Sequence, residues 1–185
     1  LSLEYAILGF LNYQPFTGYD LNKMIATSVS HFWSADQSQI YRTLARLTEA
    51  GLADFERVEQ RDRPDRKVYH ITPAGRQAFT EWLQGPFPMQ PSRSGPLVQV
   101  FFSARLSDEE LLAKFQTAAE IFRTILARYE QVPKTAEETI RQVPSPREQY
   151  FWMSTLDLGR RSMQANLEWA ESVIADLQNK RIPPA

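Results

Sequence analysis

The sequence predicts a mainly α-helical protein with a small β-hairpin, built in two parts. Helical apolar stripes recur along most of its 185 residues, two strand-forming stretches flank a charged, turn-rich tip, and a proline- and glycine-rich run separates segments of different apolar spacing. The first helix runs from Leu3 to about Leu11, where Ala6, Ile7, Phe10 and Leu11 share a face. It stops before the Gln14-Pro15 step, because the residue preceding a proline disfavours helical geometry. Thr17 then caps a second helix with the stripe Leu21, Met24, Ile25 and Val29, which leaves Tyr19, Asn22 and Lys23 on its open side.

A third helix occupies "SQIYRTLARLTEAGL", Ser38 to Leu52, in which Ile40, Leu44 and Leu47 recur at helical spacing and Ala50 and Leu52 follow. Ser34 and Asp36 are both possible N-caps, each followed three residues later by a glutamine (Gln37, Gln39), the pattern of a reciprocal capping box. Gly51 fits the left-handed position just past the helix end. Away from the stripe stand Gln37, Ser38, Gln39, Tyr41, Arg42, Thr43 and Arg46, groups able to bond base edges and phosphates and equally able to form a solvated face. The stretches "LADFERVEQ" and "KVYHI" then read as a short hairpin joined by "RDRPDR". Thr72-Pro73 supplies a cap and a first-turn proline for a helix carrying Ala74, Ala78, Phe79, Trp82 and Leu83.

From Gly85 to Pro96 the text is "GPFPMQPSRSGP", where neither a helix nor a central strand persists. Residues 1–84 are therefore expected to form one domain, 85–96 a linker and 97–185 a second domain. Beyond the linker, Ser107 caps a helix in which Leu111, Phe115, Ala118, Phe122, Ile125 and Tyr129 alternate four and three apart, a heptad seam. The last helix, after Pro146, repeats the device with Met163, Leu167, Ala170, Ile174 and Leu177 before "RIPPA". Two long antiparallel helices bury too little surface alone, so a partner chain is expected.

Composition narrows the function. With 43% hydrophobic and 23% charged residues the chain is of ordinary globular type. The absence of cysteine removes disulfides, thiolate metal sites and cysteine nucleophiles together. No apolar run approaches membrane-spanning length, and "LSLEYAILGFLNYQP" lacks the basic lead and small-residue cleavage site of a signal peptide, so a cytoplasmic protein with no membrane contact is expected. The chain opens without methionine, and leading residues able to reach a partner are expected before Leu1. An enzyme would need a nucleophile with a base, a metal cluster or a phosphate loop, and none is recognisable, so no catalytic residue, metal ligand or cofactor is assigned. His31, beside Phe32-Trp33, and His70, in a strand, have no neighbours that suggest a ligand or a base.

Three helices, the third polar on its outer face, followed by a hairpin with a basic tip, give the order of a winged helix-turn-helix. Within "RVEQRDRPDRKVY", Arg57, Arg61, Arg63, Arg66 and Lys67 outnumber Glu59, Asp62 and Asp65, although the net charge of the whole chain is −1. Counterion release rewards a basic surface that follows the phosphate backbone rather than a basic average. A solvated tip with internally paired charges fits the same residues.

"AILGFLNYQPFTGYDL", "SQIYRTLARLTEAGLA" and "RKVYHITPAGRQAF" resemble the successive signatures of the PadR family of transcriptional regulators, in order and spacing. The resemblance spans Leu3 to about Leu83 and rests on Gly18-Tyr19, Ile40-Tyr41, Leu44, Leu47, Gly51-Leu52, Tyr69, Thr72 and Gly75. The long helical second half, with "FWSADQSQIYR" leading into the third helix, is similar to the branch that responds to phenolic acids. It implies a homodimeric repressor whose carboxy-terminal helices form the dimer and whose DNA affinity is modulated by a small aromatic ligand.

Carried over position by position, Gln37, Ser38, Gln39, Tyr41 and Arg42 enter the major groove, with Arg46 on the same helix. Arg42 is the first choice for a base contact and Gln39 the second, since arginine grips a guanine edge and glutamine an adenine edge. Tyr41 touches a phosphate or packs inward. Tyr19 and Lys23 are expected as phosphate clamps, and Arg61, Arg63, Arg66 and Lys67 line the wing, where Asp62 and Asp65 can pair with the arginines. A dimer would read double-stranded DNA carrying an inverted repeat. The candidate effector-binding aromatics are Phe101, Phe102, Phe122, Phe151, Trp152 and Trp169. The rival reading is a winged helix that keeps its shape, binds protein and has lost DNA binding.

Overall fold

The computed structural model describes residues 2–59, 65–87, 93–135 and 145–183. The chain divides into two compact units, Leu1–Pro88 and Met89–Ala185.

In the first unit the order is α1 (Ser2–Tyr13), β1 (Phe16–Thr17), α2 (Gly18–Ser28), α3 (Gln37–Glu49), β2 (Ala53–Val58), β3 (Arg66–Ile71) and α4 (Pro73–Gln84). Residues of the expected stripes form its core: Ile7 of α1, Leu21 and Ile25 of α2, and Ile40 and Leu44 of α3 are all but inaccessible to solvent, and Leu8, outside the expected α1 stripe, joins them. Each such aliphatic side chain contributes roughly 1.5–3 kcal/mol by leaving water, and together they fix the three helices around one centre. Thr17 caps α2 by accepting from the Asp20 amide at 3.1 Å and donates its hydroxyl to the Asp20 carboxylate at 2.7 Å.

The sheet has the order β1-β3-β2, so the expected hairpin carries a third, two-residue strand. Phe16 pairs with Tyr69 and Thr17 with Val68, on the edge of β3 that β2 leaves free. Two residues carry no periodicity, so this strand exists through its pairing rather than through any signal of its own. In β3 Tyr69 and Ile71 face the core, and β2 contributes Ala53 and, partly, Phe55. Gly51 adopts a φ of +69°, the left-handed value that closes α3. The Thr72 hydroxyl donates to the Gly51 carbonyl at 2.7 Å and accepts from the Gly75 amide at 3.0 Å, so one side chain ties the end of α3 to the start of α4.

The second unit contains α5 (Gly95–Phe101), a 3₁₀ turn (Ser103–Arg105), α6 (Asp108–Thr135) and a long α7 (Pro146–Gln178). Helix α5 starts inside the stretch read as a linker, because Pro96 falls in its first turn, where the missing N–H is harmless, and Ser94 caps it. Ser107 and Ser145 cap α6 and α7, each paired with a glutamate three residues on (Glu110, Glu148). The long helices run antiparallel, with Phe115 against Trp169 and Tyr129 against Gly159, around a core of Leu111, Phe115, Ala119, Leu167, Ala170 and Leu177. Ala119 rather than Ala118 is buried: the buried positions step by four from Leu111 to Phe115 and by four again to Ala119, where the heptad reading advances by three. No helix of the described residues is long and apolar enough to cross a membrane.

A methyl added at Gly75 would run into the Leu52 carbonyl oxygen and stand 2.9 Å from Ile71 Cγ1, whereas one at Gly95 meets nothing within 4 Å. Gly75→Ala is expected to lower the unfolding free energy by about 2–3 kcal/mol in urea titrations followed by circular dichroism. Gly95→Ala should stay within about 0.5 kcal/mol of the parent protein.

Candidate nucleic-acid interface

What α3 buries determines what it presents. Ile40, Thr43, Leu44 and Leu47 are buried to within 2%. At about 100° per residue the opposite side carries Ser38, Arg42, Ala45 and Glu49, all exposed. Gln37 and Tyr41 stand on one flank of that stripe, Gln39 and Arg46 on the other.

The amino-terminal end of α3 is held by Asp36, not Ser34. Its carboxylate accepts from the Gln39 amide at 2.8 Å, its own N–H donates to Gln39 Oε1 at 3.0 Å, and the Ser38 hydroxyl donates to Asp36 Oδ1 at 2.7 Å. The Ser38 hydroxyl, followed by the Gln39 amide, holds the Asp36 carboxyl below its ordinary range. Two of the expected base readers, Ser38 and Gln39, therefore already serve the cap. Arg42 differs: its Nε donates to the Ser38 carbonyl at 3.3 Å, and no carboxylate of the described residues pairs with it. Its two terminal nitrogens have no hydrogen-bond partner among the described residues, so the planar donor fork is available. Arg46 leans back, with Nη2 3.2 Å from the Glu4 carboxylate of α1 and 3.4 Å from Thr43 Oγ1.

Helix α3 stands between two open troughs. One, about 530 Å³, runs along its Gln39, Arg42 and Arg46 flank and is walled by Leu3, Trp33 and Ser34. The other, about 640 Å³, lies on its Tyr41 flank and is walled by the start of α2 (Gly18, Tyr19) and the wing (Asp65, Arg66, Lys67). Tyr41 packs on Gly18 so closely that a Cβ there would sit 2.5 Å from its ring, and it keeps 41% of its surface exposed. The Tyr41 ring rests on α2 while its edge lines the trough. Burial, followed by the neighbouring Tyr41, pushes the Tyr69 phenol up, so it stays neutral at the trough floor.

Tyr19 is 66% exposed, and Lys23 and Gln37 are open to solvent. On the wing Lys67 lies over the Phe55 ring, 4.2 Å from its centroid, and directly opposite Arg57. Like charges facing across a strand pair repel, a penalty that an intervening polyanion would relieve. Arg61 and Arg63 lie outside the described residues. Trp33, Ala45 and Glu4 were missed by sequence reasoning. Trp33 sits in a segment with no period, and Ala45 and Glu4 gain meaning only from their neighbours in space.

The six aromatics of the second unit fall into separate contacts. Phe101 and Phe102 meet edge-on at 5.0 Å and are 81% and 67% exposed, Phe151 meets Tyr150, Trp169 meets Phe115, and Phe122 packs on the inter-helix core. Trp152 is half-buried. His31 is half-buried beside Phe32, and burial lowers its pKa against a raising contribution from the Ser28 backbone. His70 Nε2 is 3.5 Å from Glu56 on the wing. Among the described residues no three His, Cys, Asp or Glu side chains are grouped so as to hold a metal ion.

Comparison with known proteins gives matches at both levels. The model of the transcriptional regulator PadR-like family matches residues 7–81, and that of the virulence activator alpha C-term matches residues 92–178. The Bacillus subtilis negative transcriptional regulator PadR is 29% identical over 179 residues, covering 94% of this chain and 96% of its own. A Mycobacterium tuberculosis "probable transcriptional regulator" is 28% identical over 197 residues, covering 98% of this chain and 100% of its own. The crystal structure of B. subtilis PadR in complex with operator DNA superposes with a TM-score of 0.81 at 26% identity, over 96% of this chain and 99% of that one. The same protein in complex with p-coumaric acid gives 0.76 at 25%, and the Vibrio cholerae virulence activator AphA gives 0.75 at 27%, each over 96% of this chain and 99% of the other.

A carboxyl held below its usual range stabilises the fold above its unfolded value, and that contribution is lost as the pH falls through the depressed one. Asp36→Ala should therefore lower the urea midpoint at neutral pH, with Asp36→Asn in between because an amide oxygen still caps. At a pH below the depressed value the midpoints of the parent and Asp36→Asn should converge.

Proposed function

Because the chain belongs to the PadR-like family of transcriptional regulators, a family of DNA-binding proteins and not of enzymes, we propose that it is a sequence-specific homodimeric repressor relieved by a small aromatic ligand. The observation that carries the DNA-binding part is the position of α3 between two troughs with basic side chains on both sides. A helix lying in the major groove is flanked by the two sugar–phosphate walls, and side chains beside it meet those walls while its outward stripe meets base edges. Arg42 supplies the specific contact, Tyr19, Lys23, Arg66 and Lys67 hold phosphates, and Arg61 and Arg63 extend the wing. Gln37, on the Tyr41 flank, is a further donor, while Ser38 and Gln39 act through the cap.

The negative sense rests on the B. subtilis relative, a negative regulator. The second unit exposes Leu97, Phe101, Tyr150, Phe151 and Leu158, more apolar surface than a solitary helical pair leaves in water, and a second copy would cover it. Two recognition helices one turn of DNA apart, roughly 34–36 Å, would read an inverted repeat. B. subtilis PadR has been crystallised with p-coumaric acid, and Phe101, Phe102, Phe122, Phe151, Trp152 and Trp169 are the residues proposed to receive such a ring here. Any such ligand releases DNA only by binding the released state better than the DNA-bound one.

Binding of the purified protein to its own upstream DNA, titrated with salt beside a scrambled duplex, tests this reading. Tight binding to the cognate duplex alone, falling steeply with salt, is expected, and equal weak binding to both would favour the protein-interaction module. Arg42→Ala should weaken the cognate complex by about 1–3 kcal/mol and relax discrimination at the base it grips, whereas Arg66→Ala should weaken all complexes alike and reduce the salt slope by about 1. Leu158→Glu should shift the dimer towards monomer in sedimentation velocity and weaken operator binding with it. Added p-coumaric acid should release the operator.

A further inference from the structure

The outward stripe of α3 has four members, and three are accounted for. The Ser38 hydroxyl is bonded to Asp36, Arg42 offers its open fork, and Glu49 ends the stripe with a carboxylate that phosphates repel. The fourth is Ala45, exposed on that stripe between Arg42 and Glu49, with Tyr41 resting on α2 to one side and Arg46 drawn back to Glu4 on the other. Its exposed methyl group has no hydrogen bond to offer a base. What it can cover favourably is another methyl, and the thymine 5-methyl is the apolar group presented in the major groove.

We propose that Ala45 is a base-reading residue that packs on the methyl group of a thymine one base pair from the guanine gripped by Arg42. Three helical residues advance by about 4.5 Å, close to the roughly 3.4 Å between successive base pairs, so the two side chains address neighbouring steps. The operator half-site therefore carries a thymine beside a guanine. The inference rests on the DNA-reading function proposed above and adds the chemistry of one position to it.

The test enriches duplexes that bind the full chain from a random pool, then alters single bases of the selected site. Thymine beside the guanine is expected, and replacing it by deoxyuridine should weaken the wild-type complex about fourfold per half-site, the worth of one buried methyl group. Replacing the guanine by 7-deazaguanine, which lacks N7 but keeps O6, should remove one of the two Arg42 hydrogen bonds and reduce its contribution. Ala45→Ser, which keeps the size of the side chain without its methyl surface, and Ala45→Gly should each bind the thymine and deoxyuridine duplexes equally. Deoxyuridine tolerated at every thymine of the site, a thymine preference retained by Ala45→Ser, or a selected half-site without the thymine–guanine step would each overturn the inference. A pool in which nothing is enriched would remove the DNA-reading function itself, and this inference with it.

Discussion

Everything presented by the first unit depends on one packing constraint: α3 buries Ile40, Thr43, Leu44 and Leu47 in a single stripe. A helix with one face locked into a core has no rotational freedom left, so its opposite face is chosen by its sequence. The cap and the C-terminal turn then fix its position along the axis. Asp36 closes one end, and Gly51, held by the Thr72 hydroxyl, closes the other. Rotating α3 by one residue would expose Leu44 and bury Arg42, which no repacking of the neighbours could accommodate.

The charge of the unit is placed rather than abundant. A net charge of −1 over the chain leaves little general attraction for nucleic acid, yet Arg42 and Arg46 stand beside one trough of α3 and Arg66 and Lys67 on the wing beside the other. Several acidic groups nearby already have partners: Asp20 is bonded to Thr17, Asp36 to Ser38 and Gln39, and Glu4 to Arg46. The Glu4 pair is partly exposed and therefore weak, so Arg46 remains recruitable by a stronger anion. In the proposed complex, charges placed in this way would make binding sensitive to where the phosphates fall.

The fold was legible where periodicity and caps coincide. Helices α1 to α4, α6 and α7 announce themselves by apolar stripes bounded by Thr17, Asp36, Thr72, Ser107 and Ser145, because burial of one face and satisfaction of the first-turn amides are local demands on sequence. Strand β1 was not legible, since Phe16 and Thr17 become a strand only by meeting Tyr69 and Val68 from far along the chain. Helix α5 was hidden by prolines that sit at its start, where they do no harm. At the candidate interface the residue types could be read but not their commitments. Gln39 and Arg42 look alike as potential base readers, yet the first is held by the cap and the second is open, a difference set by geometry that spacing does not encode.

Sparse charge also bears on how such a protein would be switched. In the proposed homodimer, useful affinity would come from joining two winged units, where the second contact is made at the high effective concentration that the first creates. That gain is geometric and disappears once the two half-sites cannot be engaged together. A ligand acting on the helical unit then need not supply the whole binding energy of the complex to release it. A differential preference of 1–3 kcal/mol between dimer arrangements, typical of coupling between sites, changes occupancy by about five- to 150-fold. Strong individual contacts would have made the complex indifferent to so small a bias, so the near-neutral charge of this chain and its proposed response to a small ligand are two sides of the same design.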